Sequence, residues 1–231
     1  MNAPDVRYKA VLFDLDDTLI DRRRAFATFA ERFFAAEPAV RAASTLEEAT
    51  KLLIKWDARG ATARPKLFEL AQARWPGIDS DLEKQVRRFW AVLIAAFRPD
   101  EMVIKFLARL NDASMPWGII TNGGPQQFEK LAQVGLSGLP PFVITSEAFG
   151  ASKPDASIFG EGLRRLGSRA QETLFVGDNP SADISGAAAV RMPTAWVRAG
   201  RKWWIYGDPV PDFEIDHVSE LEKVVLPRAA R

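Results

Sequence analysis

The chain has 231 residues, of which 47% are hydrophobic and 26% charged, a balance that is ordinary for a soluble globular protein. It has no cysteine and a single histidine, which excludes disulfides, thiolate zinc sites, cysteine nucleophiles and most histidine-based triads. A net charge of +1 gives no indication of nucleic-acid binding. No apolar run is long enough to span a membrane, and the N-terminus lacks the features of a signal peptide, so we expect a cytoplasmic protein.

The first predicted element is a short strand, and a block of helices follows it. Ala10–Phe13 is an apolar run of the kind found in strands that are buried on both faces. From residue 21 to residue 98 the pattern is helical, beginning with aromatic residues at the spacing of one helix face between Phe26 and Phe34. The capping-box patterns Ser44–Glu47 and Ser80–Glu83 indicate the starts of two later helices. No strand pattern interrupts this block.

After Pro99 the pattern alternates between helices and strands. Phe128, Leu131 and Val134, for example, predict the apolar face of one of these helices. Such alternation predicts an α/β fold with a central parallel sheet and helices on both faces, into which the helical block is inserted. The predicted strands after Pro99 are Trp117–Ile120, Phe142–Ile144, Thr173–Val176, Thr194–Val197 and a weak last strand at Glu214–Ile215.

Acidic side chains cluster directly after the first strand. Asp14, Asp16 and Asp17 fall within four residues at the end of an apolar strand. Like charges held close together beside an apolar sheet are unfavourable unless a cation offsets them. Mg²⁺ is a hard cation that binds carboxylates together with phosphate oxygens, so it suits this site.

Three further polar motifs follow later strands in the same way. Thr121-Asn122 offers a hydroxyl and backbone N–H groups to phosphate oxygens, and Lys153 offers a positive charge. Gly177-Asp178 adds a carboxylate. Each motif alone is more often a turn or a surface residue. Their occurrence in order at strand ends, where parallel sheets bind ligands, is hard to obtain by chance.

These motifs together resemble those of the haloacid dehalogenase (HAD) superfamily. Asp14-Leu-Asp16-Asp17-Thr18-Leu resembles motif I, Thr121-Asn122-Gly123 motif II, Lys153-Pro154 motif III, and the run from Gly177 to Asp183 motif IV. The resemblance implies a Rossmann-like HAD core of residues 1–20 and 99–231. It also implies a helical-bundle cap domain of residues 21–98, which is similar to a C1 cap by position and helicity.

The resemblance further implies a Mg²⁺-dependent phosphatase acting on a small phosphorylated metabolite. Asp14 would attack phosphorus and form an aspartyl-phosphate, and Asp16 would serve first as the acid and then as the base. Asp183 either caps the helix that follows it or supports the metal site. The implied residues are Asp14, Asp16 and Lys153 for catalysis and Thr121, Asn122 and Lys153 for phosphate binding. For the metal they are Asp14, Asp178 and Asp16, the last through its backbone carbonyl, with Asp183 as a possible supporting residue.

Several alternatives stay open at this point. A hydrolytic dehalogenase is disfavoured because the family's dehalogenases lack the second aspartate of motif I, which is Asp16 here. A phosphomutase uses the same acids, and a binding or regulatory protein on an inactive scaffold is a third alternative. Arg201–Trp204 mixes bases with aromatics, for which a loop bordering the active-site end of the core is a better interpretation than a nucleic-acid site. The substrate and the oligomeric state are undetermined, and we expect the helical insert to set leaving-group selectivity.

Overall fold

The computed structural model describes residues 8–203, 206–207 and 209–226. The chain divides into two compact units, one of Met1–Ile20 with Pro99–Arg231 and the other of Asp21–Arg98. Trp204 lies outside the described residues. Among the helices that are described, none has the length and apolar character needed to cross a bilayer.

The Asp21–Arg98 unit contains helices and no strand among its residues, all of which are described. Aromatic side chains form its centre, as in the edge-to-face contact of Phe29 with Phe89, whose ring centroids are 4.7 Å apart. The helices of this unit are α1 (Arg22–Ala36), α2 (Pro38–Ala43), α3 (Leu46–Asp57), α4 (Arg64–Arg74) and α5 (Leu82–Ala96).

The helix caps of this unit differ from the predicted ones by one residue. The N-cap of α3 is Thr45, which forms a capping box with Glu48. Ser44 matches the same sequence pattern, but its hydroxyl instead accepts a hydrogen bond from the indole of Trp75 at 2.9 Å. At α5 the N-cap is Asp81 in place of Ser80, and its carboxylate accepts the backbone N–H of Lys84 at 2.9 Å.

A buried ion cluster joins three helices of the same unit. Asp57, the last residue of α3, accepts hydrogen bonds from Arg22 of α1 at 2.7 and 2.8 Å and from Arg64 of α4 at 2.6 Å. It also accepts the backbone N–H of Gly60 at 2.9 Å, which fixes the turn after α3. Each partner of this cluster is mostly shielded from solvent, so the three side chains form a structural network.

The other unit is built on a six-stranded sheet in which every pair of neighbours is parallel, in the order β3-β2-β1-β4-β5-β6. This arrangement confirms the predicted α/β fold with a parallel sheet. The strands are β1 (Ala10–Phe13), β2 (Trp117–Thr121), β3 (Val143–Thr145), β4 (Thr173–Gly177), β5 (Thr194–Val197) and β6 (Phe213–Ile215).

Helices cover both faces of the sheet. Successive residues of a strand point to opposite faces. Leu12 packs in one cluster with Ile158 and Phe159, whereas Phe13 meets Phe106 edge to face with ring centroids 6.0 Å apart. The helices of this unit are α6 (Glu101–Asp112), α7 (Gln126–Gln133), α8 (Ser146–Phe149), α9 (Ala156–Leu166), α10 (Gly186–Ala189) and α11 (Glu222–Val225).

The order of the strands indicates where a ligand would bind along the edge formed by the strand ends. The chain leaves β1 for β2 and β3 on one side, then returns to β4 and continues to β6 on the other. The point where the strand order reverses is therefore the pair β1 and β4. Ligands of open parallel sheets bind outside the C-terminal ends of the strands at such a point. Asp14 follows β1 there and Asp178 follows β4.

Candidate active site

Asp14 and Lys153 form a buried ion pair at the end of β1. The Lys153 ammonium lies 2.6 Å from an oxygen of Asp14 and 2.6 Å from an oxygen of Asp183. Burial raises the pKa of Asp14 to about 7, with the charge of Asp183 adding to the rise and that of Lys153 opposing it. Burial acts to lower the pKa of Lys153, but the two carboxylates outweigh it and the pKa is raised. The lysine is therefore held as a cation between two acids.

Three carboxylates in this region lie close enough together to hold a metal ion. Asp14, Asp178 and Asp183 are buried, and each offers an oxygen within 4.8 Å of the others. Oxygen donors in a compact group suit Mg²⁺, so the side chains present fit the ion that the sequence implied. The carboxylate of Asp16 is not a member of this group.

Asp178 is held in place by two residues that follow β4 in the sequence. The Arg201 guanidinium donates to the backbone carbonyl of Asp178 at 2.9 Å and to its carboxylate at 3.2 Å. The indole N–H of Trp196 donates to the same carbonyl at 2.9 Å. The segment beginning at Arg201 thus borders this site at its described residues, as the sequence predicted.

Asp183 lies against the backbone at the end of β4. One of its oxygens accepts the backbone N–H of Asn179 at 2.9 Å, while the other faces Lys153. A Cβ on Gly177 would lie 2.5 Å from the Asp183 side chain, so only glycine allows this approach. Asp183 therefore orients Lys153 as well as contributing to the carboxylate group.

Thr121 is the last residue of β2 and Asn122 follows it, and each has a defined partner. The Asn122 side chain donates to the carbonyl of Lys153 at 3.0 Å and accepts its backbone N–H at 2.9 Å. It therefore fixes the Lys153 loop from both sides. The Thr121 hydroxyl accepts a hydrogen bond from the side-chain amide of Gln127.

The carboxylate of Asp16 is bound by two side chains of α7. The Lys130 ammonium lies 2.6 and 2.9 Å from its two oxygens. The Gln127 amide donates to one of them at 3.2 Å. Asp14 and Asp16 therefore have separate lysine partners, Lys153 and Lys130.

Comparison with known proteins identifies the family. A model of the haloacid dehalogenase-like hydrolases matches residues 8–191. Glyceraldehyde 3-phosphate phosphatase of Methanocaldococcus jannaschii is 32% identical over 222 residues, which cover 94% of this chain and 96% of that protein. The chain belongs to the haloacid dehalogenase-like hydrolases.

Solved structures of other HAD-like hydrolases have the same fold. A HAD phosphatase from Thermococcus onnurineus superposes with a TM-score of 0.69 at 26% identity, covering 95% of this chain and 98% of that one. A 2-haloacid dehalogenase from Pseudomonas syringae superposes with a TM-score of 0.62 at 29% identity, covering 94% and 97%. The predicted HAD resemblance and Rossmann-like fold are confirmed.

Sequence patterns did not point to Gln127 or Lys130 as site residues of this HAD-like hydrolase, and they placed Arg201 only in a loop bordering the active-site end of the core. On α7 they favoured Phe128 as part of the apolar face, but its side chain is 50% exposed. The buried face instead contains Gln127 and Lys130, each 2% exposed, together with Leu131 and Val134. The spacing of these four residues fits one face of a helix as well as the predicted apolar spacing does. The two polar residues within that spacing are the feature from which the sequence could have indicated Gln127 and Lys130 as site residues.

Proposed function

We propose that this HAD-like hydrolase is a Mg²⁺-dependent phosphatase that acts on a small phosphate monoester through an aspartyl-phosphate. The observation that carries the proposal is the Lys153 ammonium held between Asp14 and Asp183 beside a compact group of carboxylates. A phosphoryl group needs positive charge where a carboxylate attacks it, and this arrangement supplies that charge. The relatives with phosphatase names support the same class of substrate.

Asp14 is the proposed nucleophile. Its carboxylate oxygen forms a bond to phosphorus while the bond from phosphorus to the leaving oxygen breaks. Repulsion between the carboxylate and the phosphate dianion opposes this attack. The Lys153 ammonium, next to Asp14, offsets that repulsion as charge develops on the transferring group.

Asp16 is the proposed acid and base. It protonates the leaving alkoxide in the first step and removes a proton from the attacking water in the second. Its carboxylate is 21% exposed, whereas that of Asp14 is 9% exposed. The two aspartates of motif I therefore have different surroundings, which suits different roles.

Asp14 and Asp178, with the backbone carbonyl of Asp16, are the proposed Mg²⁺ ligands, and Asp183 supports them. When bound, the ion offsets the charge of the carboxylates and of the phosphoryl group. Thr121 is proposed to donate its hydroxyl to phosphate. For Asn122 we propose a role in phosphate binding through the Lys153 loop, which its side chain holds.

A dehalogenase is the second candidate, because a solved 2-haloacid dehalogenase is among the similar structures. That reaction attacks carbon and releases halide, so it requires neither a metal nor a proton for an alkoxide. Asp16 and its two polar partners on α7 favour the phosphatase.

Both candidates are tested with one set of assays. The purified protein is given p-nitrophenyl phosphate, glyceraldehyde 3-phosphate and a 2-haloacid, each with Mg²⁺ or after exhaustive chelation by EDTA. We expect phosphate release that chelation abolishes and Mg²⁺ restores, and no halide release. Asp14→Asn should abolish phosphate release because an amide is not a nucleophile here.

Two results would contradict the proposal. Halide release that survives chelation supports the dehalogenase. A folded Asp14→Asn protein with wild-type phosphatase activity removes Asp14 as the nucleophile. Trapping of acid-stable, base-labile labelled phosphate on the wild type, and its absence in Asp14→Asn, would test the aspartyl-phosphate itself.

A further inference from the structure

We infer, on the basis of the proposed function, that Lys130 and Gln127 are positioning residues which hold the Asp16 carboxylate in place for proton transfer. Both lie on α7, outside the four motifs that carry the family resemblance. Both are 2% exposed. Lys130 and Gln127 thus contribute to the reaction through Asp16 and not through direct contact with the substrate.

The Lys130 ammonium contacts both carboxylate oxygens of Asp16. Its ammonium is 2.6 and 2.9 Å from them, so the carboxylate has two short contacts to one cation. The lysine side chain is 3% exposed, compared with 21% for that of Asp16. The cation is thus buried behind the carboxylate, whose own remaining surface stays accessible.

Gln127 makes a second contact with the Asp16 carboxylate. Its amide nitrogen is 3.2 Å from one oxygen of Asp16, and the same nitrogen donates to the Thr121 hydroxyl. The side chain also packs over Gly123, where an added Cβ would lie 3.1 Å from it. Gln127 therefore connects the proposed acid and base to the proposed phosphate-binding strand end. A carboxylate fixed at two points loses rotational freedom before the reaction instead of during it.

The composition of α7 indicates that this contact has a use beyond stability. The buried face of a surface helix is ordinarily apolar, yet two of the three buried positions of α7 are polar. Burying an ammonium and pairing it with a carboxylate seldom stabilises a protein more than an apolar pair would. Asp16 could be neutralised by an exposed lysine, so charge compensation alone does not require a buried one.

The inference predicts that loss of Lys130 affects substrates according to their leaving groups. Nitrophenolate departs without a proton, whereas the alkoxide of an alkyl phosphate needs one from Asp16. Lys130→Met should lower kcat/KM for glyceraldehyde 3-phosphate by at least ~10-fold, and by no more than the ~10²–10⁴-fold that proton transfer itself contributes. The value for p-nitrophenyl phosphate should change less. Gln127→Leu should act in the same direction with a smaller effect.

The matched controls are Glu129→Gln, an exposed position on α7, and the same substitutions in an Asp16→Asn background. Glu129→Gln should leave both kcat/KM values unchanged. In the Asp16→Asn background, Lys130→Met should cost almost nothing further, because its task passes through Asp16. Lys130→Arg should restore part of the lost activity.

Equal loss on both esters, or an undiminished loss in the Asp16→Asn background, would overturn the inference while leaving the phosphatase proposal intact. Crystal structures of the wild type and of Lys130→Met test the positioning of Asp16 independently of activity. We expect the Asp16 side chain to move or to split between rotamers in the variant, with Gln127→Leu as a second variant if Lys130→Met does not fold. An unmoved Asp16 refutes positioning by Lys130. An inactive wild type refutes the phosphatase proposal and leaves this structural comparison in force.

Discussion

At the scale of single residues, two buried lysines form ion pairs with different carboxylates of the site. Lys153 lies between Asp14 and Asp183, and Lys130 holds Asp16. The sequence predicted Asp14, Asp16 and Asp178 because they come just after apolar strands, and it predicted Lys153 and Asp183 through their resemblance to motifs III and IV. It did not predict Lys130, because a lysine on a helix is ordinarily solvated and its burial depends on where α7 packs.

We predict that Lys153→Met strongly destabilises the metal-free protein. The substitution leaves Asp14 and Asp183 buried and facing each other without the cation, and losing one partner of a buried pair typically costs about 3–5 kcal/mol. Urea titration gives the free energy of unfolding. Adding Asp183→Asn to Lys153→Met should regain part of the loss, since it removes a buried charge that has lost its cation. A Lys153→Met protein as stable as the wild type would contradict the prediction.

At the scale of elements, β1, β2, β4 and β5 were predicted well because each is a short, mostly apolar run whose residues are all buried. Even the weak last strand is present, as β6. Helix faces were predicted less well. Phe128 and Gln127 are adjacent on α7, and only the packing of the helix decides which of them is buried. A hydrophobic pattern assumes that the buried face is apolar, and at α7 the site overrides that assumption.

We predict opposite effects for two glycines of α9 that lie two residues apart. A Cβ on Gly162 would lie 2.7 Å from Ile120 and 2.8 Å from Leu12, so α9 packs on the sheet at this glycine. Gly162→Ala should lower the free energy of unfolding by about 1–3 kcal/mol through overpacking. A Cβ on Gly160 would meet nothing within 4 Å, so Gly160→Ala should raise it by about 0.5–1 kcal/mol. Equal effects would show that close packing is not the reason for Gly162.

The buried cluster of α1, α3 and α4 gives a prediction about acid stability. Burial acts to raise the pKa of Asp57, but the hydrogen bonds and charges of Arg22 and Arg64 outweigh it and hold the pKa below its ordinary 3.8. The cluster therefore stabilises the protein above that value, and the contribution is lost as the pH falls below it and Asp57 is protonated.

We predict that Asp57→Asn lowers the free energy of unfolding by about 3–5 kcal/mol at pH 7, because it removes the negative charge that the buried guanidinium groups of Arg22 and Arg64 both contact. The variant should also lose less stability than the wild type on acidification below pH 3.8. Glu47→Gln is the control, since it breaks only an exposed ion pair with Lys51 and should cost no more than ~0.5 kcal/mol. Parallel acid profiles for Asp57→Asn and the wild type would refute this account.

At the scale of the whole molecule, the proposed function assigns phosphoryl transfer to one unit and substrate selectivity to the other. The core unit holds every residue proposed to act on the phosphoryl group, so leaving-group selectivity is proposed to come from the insert. Of the arginines that the insert offers, Arg22 and Arg64 are bound to Asp57. Arg59 is exposed in the turn after α3, where Ala58 and Arg59 both have left-handed backbone conformations, with φ of 47° and 58°. A non-glycine residue held in such a conformation is a candidate for a functional position.

We predict that Arg59→Ala changes the ranking of phosphate esters by kcat/KM while the dependence on Mg²⁺ and on Asp14 stays the same. The reason is that binding energy from remote parts of a substrate affects selectivity without altering the chemical groups. A panel of phosphorylated metabolites measures the ranking, with Arg87→Ala on the exposed face of α5 as the control. Equal scaling of all esters would mean that Arg59 has no part in selectivity.

The position of β1 in the sheet has a consequence for the order in which the chain folds. This strand is four residues long and lies between β2 and β4, so Val11 pairs with Trp117 on one side and with Leu174 on the other. Neither partner has been synthesised when β1 leaves the ribosome, and contacts between distant segments form slowly. The helices of residues 21–98, whose contacts are local, can assemble meanwhile. The strand that precedes Asp14 therefore stays an unpaired apolar segment until β2 and β4 have been synthesised, and such a segment exposes a nascent chain to aggregation and to chaperone binding.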